Sequence, residues 1–138
     1  MNDATLTTTV DFGDFGKFTF DEPSAHGGND LGPSPLQGVL GALCACESVT
    51  FGRTAQEFGF ACDGISFDAA CTIDIRGRLG VAEVVPHFQS IKVEARVRTA
   101  ESEAALLRVV ELTEARCPVL NLAKDAKVRV DMVWIRQA

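Results

Sequence analysis

Leu36-Gln37-Gly38-Val39-Leu40-Gly41-Ala42-Leu43-Cys44-Ala45-Cys46-Glu47-Ser48-Val49-Thr50-Phe51-Gly52-Arg53-Thr54-Ala55-Gln56-Glu57-Phe58 has no internal proline and reads as one long helix. Its first half sets Val39, Leu40 and Leu43 among small residues and is apolar all round, a pattern that predicts burial on every side. Gly38 and Gly41 weaken a helix interior, so another backbone packed closely there is the expected compensation. Past Cys46 the pattern turns amphipathic with Arg53, Gln56 and Glu57, and Gly59 supplies the stop.

Upstream of this helix, Asp21 to Pro35 is rich in Gly, Pro, Ser and Asn and has no periodicity. A loop of that length in a small domain is either functional or disordered. Before it, Thr5 to Phe20 mixes Thr, Val and Phe around Asp11, Gly13, Asp14 and Gly16, the signature of two strands and a turn. Downstream, Phe67, Ala69, Cys71, Ile73 and Ile75 alternate with Ser66, Asp68, Ala70, Thr72, Asp74 and Arg76, which predicts a half-buried strand. Ile91, Val93, Ala95 and Val97 against Lys92, Glu94, Arg96 and Arg98 predict a second strand, paired with the first. Glu101–Arg116 reads as a helix with acids in its first turn. Pro118 interrupts it and opens a short helix, Pro118–Lys124, with Cys117 at the N-cap. Val128, Val130, Met132 and Trp134 form the apolar phase of a last strand. The fold class is therefore α+β, helices on an antiparallel or mixed sheet, in a single domain over residues 1–138.

The 138 residues are 46% hydrophobic and 23% charged with a mean hydropathy of +0.12, the composition of a soluble globular domain. A net charge of −6 argues against a nucleic-acid partner. Met1-Asn2-Asp3-Ala4 carries neither a basic start nor an apolar stretch, and the longest apolar run, Val39 to Cys46, is too short to span a bilayer. The expectation is a cytoplasmic protein without membrane attachment.

Five cysteines make an odd set, so the sequence does not read as a disulfide scaffold. Cys44 and Cys46 lie two apart on a helix and point about 200° from each other, and His26 and His87 offer no ligand spacing, so no metal site and no cofactor are read here. Cys62 at a turn and Cys71 on an apolar strand phase read as small buried hydrophobes. Cys46 falls where the central helix turns from apolar to amphipathic, a half-buried position suited either to packing or to chemistry. Cys117 sits where backbone N–H groups and the positive helix end lower a thiol pKa, although an N-cap cysteine is also compatible with a plain cap. His26 and His87 read as solvated loop residues, Asp21 and Glu22 as a solvated turn, and Asp74 with Arg76 as a structural ion pair.

The loop Asp21-Glu22-Pro23 and Gly27-Gly28-Asn29-Asp30-Leu31-Gly32-Pro33-Ser34-Pro35, followed by the small-residue helix ending Gly41-Ala42-Leu43-Cys44-Ala45-Cys46, resembles the OsmC/Ohr family of osmotically induced and organic hydroperoxide resistance proteins. Thr72-Ile73-Asp74-Ile75-Arg76-Gly77, Pro86-His87-Phe88-Gln89-Ser90-Ile91-Lys92-Val93 and Cys117-Pro118-Val119 follow in the same family order. The resemblance implies an OsmC-like fold in an intertwined homodimer with active sites at the subunit interface. It also implies a thiol-dependent peroxidase in which Cys46 attacks an organic hydroperoxide, or hydrogen peroxide, and becomes a sulfenic acid. Cys117 then resolves it to a disulfide that a small thiol or dithiol reduces, and Cys44 is a bystander.

Members with strong peroxidase activity carry a glutamate near the start of this helix and an arginine from the N-terminal strands. Here Gln37 stands after Pro35-Leu36 and no arginine precedes Arg53, which leaves Gln37 and Lys17 as the supporting candidates. Gln37 precedes Cys46 by nine residues, roughly 13 Å along a helix and half a turn out of phase, so a Gln37 serving Cys46 is expected from the partner chain. The competing readings are an OsmC-like protein without efficient turnover, which binds a small apolar ligand or senses oxidants at the dimer interface, and a purely structural dimer.

Overall fold

The computed structural model describes residues 4–138, so the Met1–Asp3 start read for targeting lies outside the described residues. The chain divides into two compact units, Met1–Gly41 and Ala42–Ala138.

In the first unit, β1 (Thr8–Asp11) and β2 (Lys17–Phe20) form the expected antiparallel hairpin, with Thr8 opposite Phe20 and Asp11 opposite Lys17. Its turn is a short 3-10 segment, Gly13–Phe15, with positive φ values at Gly13, its first residue, and at Gly16, just after it, that side chains resist. The following loop is ordered around Asp21, which is 1% exposed and not the solvated turn residue the sequence suggested. Its carboxylate accepts from Thr7 Oγ1 at 2.9 Å and from the backbone N–H groups of Glu22, Asn29 and Leu31 at 2.8, 3.2 and 3.3 Å. Burial pushes that carboxyl up, and the hydrogen bonds together outweigh it and hold it below its ordinary value. A polar loop thus gains a fixed shape without an apolar core.

The long helix α1 (Pro35–Glu57) begins at Ser34, whose Oγ accepts from Gln37 N at 3.2 Å while Gln37 Oε1 accepts from Ser34 N at 2.9 Å. This reciprocal pair is a capping box, and Pro35 at the first position costs no helical hydrogen bond. Burial along α1 is one-sided. Leu40, Leu43, Glu47, Phe51, Thr54 and Ala55 are buried, whereas Val39 and Val49 are 44% and 55% exposed. The all-round burial expected of its first half is therefore not found within one chain. Gly38 does show the expected close approach, since a Cβ there would collide with the Phe20 ring, but Gly41 faces open space.

In the second unit, β3 (Gly64–Ile73) pairs antiparallel with β4 (Phe88–Arg98), Ile65 opposite Val97 and Cys71 opposite Ile91. β5 (Arg129–Gln137) runs parallel to β4, with Ala95 beside Trp134. That parallel pairing follows from the crossover by α3 (Glu103–Arg116) and α4 (Pro118–Asp125). The sheet is mixed, as the order of elements implied. The apolar phase of β4, Ile91, Val93, Ala95 and Val97, is at most 2% exposed. Phe51, Ala55, Phe60, Val97, Leu106, Val109 and Val110 form the main core cluster, with Trp134 packed against it.

One strand boundary differs from the sequence reading. Ile75 and Arg76 belong to a short helix, α2 (Ile75–Leu79), and not to β3. The Asp74 side chain accepts from Arg76 N at 3.1 Å and pairs with the Arg76 guanidinium at 2.6 Å, which turns the chain out of the sheet although the alternation continues in the sequence. Among the described residues no helix is long and apolar enough to cross a membrane.

Candidate active site

Cys117 is held between α3 and α4 by its backbone. Pro118 has no N–H and disfavours helical geometry in the residue before it, so α3 stops at Arg116 and Cys117 is extended at φ −68°, ψ 116°. Its N–H donates to Thr113 O at 2.9 Å, and its carbonyl accepts from Asn121 N at 3.0 Å and Asn121 Nδ2 at 2.8 Å. The same Asn121 amide reaches Glu114 O at 3.0 Å and ties the end of α3 to the start of α4. Cys117 is the N-cap of α4, as read from the sequence, and it is fully buried.

The central helix supplies the other half of the site. Leu43, Glu47 and Phe51 follow one another at intervals of one turn on the buried face of α1, and Cys46, one position off that stripe, is half-buried. The Cys117 thiol interacts with the side chains of Glu47 and, more weakly, of Cys46, so Glu47 joins the two cysteines as a third member that the sequence reading passed over. The signal for Glu47 was available: it falls in phase with Leu40, Leu43, Phe51 and Thr54, the stripe that points inward. It stands just past Cys46, where the sequence turns amphipathic, and was assigned no role there.

Electrostatically the site departs from the expectation of a low-pKa Cys117. The N–H of Leu120 in the first turn of α4 does pull the thiol pKa down, as capping predicts. Burial and the neighbouring Glu47 overrule it, with a smaller push from Cys46, and together they raise Cys117 from 9.0 to about 12. Glu47 is itself pushed above its ordinary value of 4.5 by burial, with Glu114 adding to the push, while contact with Cys117 and the charge of Lys124 act in the other direction. The thiol lies beside the carboxyl without closing a hydrogen bond of normal geometry, so both Glu47 oxygens are buried without a partner.

The other residues singled out from the sequence sit elsewhere. Gln37 is exposed and engaged in the capping box, and Lys17 is exposed opposite Asp11; both belong to the first unit. Cys44 is half-buried, and its thiol pKa is raised by burial and then by Glu47 and Asp68. Cys71 is half-buried on the inward strand phase and raised by burial. Cys62 is exposed and donates to Gly64 O at 3.4 Å, which corrects its reading as a buried hydrophobe. His26 and His87 are exposed in connections. Among the described residues no group of three His, Cys, Asp or Glu side chains is placed to hold a metal ion.

The family model described as OsmC-like protein matches residues 27–132, a span that includes both cysteines and Glu47. Among solved structures, an OsmC-like protein from Mycoplasma pneumoniae aligns over 100% of both chains at 17% identity with a TM-score of 0.80. An organic hydroperoxide resistance protein OsmC from Legionella pneumophila aligns over 99% of this chain and 100% of its own at 14% identity and TM-score 0.63. The organic hydroperoxide resistance protein OhrB of Bacillus subtilis aligns over 95% and 97% at 19% identity and TM-score 0.60. No curated protein matches the chain. At these identities the structural likeness is one of fold.

Proposed function

The chain belongs to the OsmC-like protein family, and on that premise we propose that it is a thiol-dependent peroxidase acting on organic hydroperoxides through Cys46 and Cys117. The observation that carries the reading is the pairing itself: a half-buried thiol on the central helix beside a fully buried thiol fixed at a helix junction. In this scheme the Cys46 thiolate attacks the O–O bond, the alkoxide leaves and takes a proton to become an alcohol, and Cys46 becomes a sulfenic acid. Cys117 displaces the hydroxyl as water and forms the disulfide, which a dithiol reduces. Leu43 and Phe51 are buried one turn either side of Glu47 on α1, and in this reading an apolar surround at the sulfur favours alkyl over hydrogen peroxide.

A homodimer is part of the proposal. Val39 and Val49 on α1 and Val133 and Ile135 on β5 are each at least 36% exposed, apolar surface that a second copy of the chain would cover. Gln37 and Lys17 remain the supporting candidates, with Gln37 acting from the partner chain. The test is consumption of cumene hydroperoxide and hydrogen peroxide with a dithiol reductant by wild type, Cys46→Ser and Cys117→Ser. Turnover of the organic peroxide that vanishes in Cys46→Ser supports the reading. Its absence in fully reduced wild type overturns it in favour of a protein that binds an apolar ligand or senses oxidants.

A further inference from the structure

Glu47 has no place in the scheme above, yet it is fully buried, both its oxygens lack a hydrogen-bond partner, and it lies beside the thiol that must lose a proton. A carboxyl in that condition is costly to keep unless the missing partner arrives during a reaction. We propose that Glu47 is the general base of disulfide formation, its carboxylate taking the Cys117 proton as that sulfur attacks Cys46 and passing it to the departing hydroxide. The inference rests on the peroxidase reading of the two cysteines and assigns a role that the reading leaves open.

The step balances without a further reactant. The Cys117 S–H bond breaks and its proton joins Glu47. The sulfur pair forms the S–S bond as the Cys46 S–O bond breaks, and the hydroxide takes the proton from Glu47 and leaves as water. The oxidising equivalent came from the organic hydroperoxide that made the sulfenic acid. Burial of Cys117 keeps bulk base away from its thiol, so the proton needs an acceptor inside the site. The groups acting there are Cys117, Glu114 from α3, Lys124 from α4, and Cys46 and Cys44 on the helix of Glu47 itself. Glu114 is already engaged, accepting from Trp134 Nε1 at 3.1 Å, and Lys124 is a cation, which leaves Glu47 as the open acceptor.

A purely electrostatic role makes the opposite prediction. A carboxylate that only suppresses the Cys117 thiolate slows the reaction, and its removal speeds disulfide formation. The experiment uses the full chain with Cys44, Cys62 and Cys71 changed to Ser. Cys46 is loaded with thionitrobenzoate, and its displacement by Cys117 is followed by the colour released; a parallel arm starts from Cys46 oxidised with cumene hydroperoxide. With Glu47 present, the rate rises with pH and then levels as the carboxyl ionises. In Glu47→Gln it falls at least about tenfold near neutral pH and rises in proportion to hydroxide without levelling. Glu47→Asp restores the levelling at a reduced rate, and this variant carries the test should the Gln variant fail to fold. Disulfide formation as fast or faster in Glu47→Gln, or an unchanged pH profile, overturns the proposal. Failure of wild type to form a sulfenic acid sinks the peroxidase reading alone, because the thionitrobenzoate arm reads proton removal from Cys117 without any peroxide.

Discussion

Burial pushes both the Glu47 carboxyl and the Cys117 thiol up, and their contact then acts on them in opposite senses, easing the acid down and driving the thiol further up. A thiol proton facing a carboxylate stabilises that pair of protonation states over either alternative. Cys117 therefore holds its proton well above the ordinary thiol range.

The first prediction concerns stability. Both groups bind their protons more tightly folded than unfolded, so stability falls as pH rises from 4.5 through the raised value of Glu47, and again between 9.0 and about 12 for Cys117. The urea midpoint of the reduced protein is expected to decline as pH rises above 4.5, the ordinary value of the Glu47 carboxyl. Glu47→Gln removes the first part of the decline, by about 1.4 kcal/mol for every tenfold change in the acidity of the carboxyl. An identical decline in wild type and variant would contradict the burial of an ionisable Glu47.

The second prediction is an order of alkylation. Cys62 is exposed, Cys44, Cys46 and Cys71 are half-buried, and Cys117 is fully buried. At pH 12 rather than 9.0 for half-ionisation, the Cys117 thiolate is scarcer than an ordinary one by roughly a thousandfold. Iodoacetamide followed by peptide mass mapping is expected to label Cys62 first and Cys117 last. Early labelling of Cys117 would mean that the helix N-terminus outweighs burial and Glu47 after all.

Period-two alternation was enough to place β3, β4 and β5, because a strand with one buried face must repeat every second residue. The same rule could not end β3, since Asp74-Ile75-Arg76 continues the alternation while the Asp74 carboxylate bends the backbone into α2. The Cys-Pro junction was legible because proline fixes backbone geometry locally. The thiol's acidity was not, because it depends on burial and then on Glu47, seventy residues away in sequence. Helical phase could have found Glu47, but a carboxyl in phase with an apolar stripe fits solvent or burial equally on sequence alone, and the packing of α1 decides between the two.

A third prediction tests the core beneath the site. Phe51 stacks on Trp134 with ring centroids 5.4 Å apart and meets Phe60 edge-on at 6.0 Å. It is 1% exposed and lies one helical turn beyond Glu47. Phe51→Ala is expected to cost about 3–5 kcal/mol by urea denaturation. Trp134 is the only tryptophan, so its emission reports the loss directly and should move to the red even in the folded variant. A cost below about 1 kcal/mol would mean that the cluster around Trp134 does not carry the fold.

The last prediction concerns what keeps Cys117 in place. Asn121 donates from one amide to Cys117 O at 2.8 Å and Glu114 O at 3.0 Å, joining the carbonyls that α3 leaves open at its end to the first turn of α4. Ala at this position keeps helix propensity and removes only the amide, so water must replace it at carbonyls that are partly buried. Asn121→Ala is expected to cost about 1–3 kcal/mol. The cost should appear locally as well as globally: amide exchange at Cys117 and Asn121 should speed up more than exchange in β4, whose core residues the substitution does not touch. A sulfur that has lost this clamp samples more positions relative to Cys46, so disulfide formation should slow even at pH values where proton removal is not limiting. That separates Asn121 from Glu47, since loss of the clamp lowers the level of the pH profile and leaves its shape intact. A change of shape in Asn121→Ala would show that Asn121 also governs the proton on Cys117.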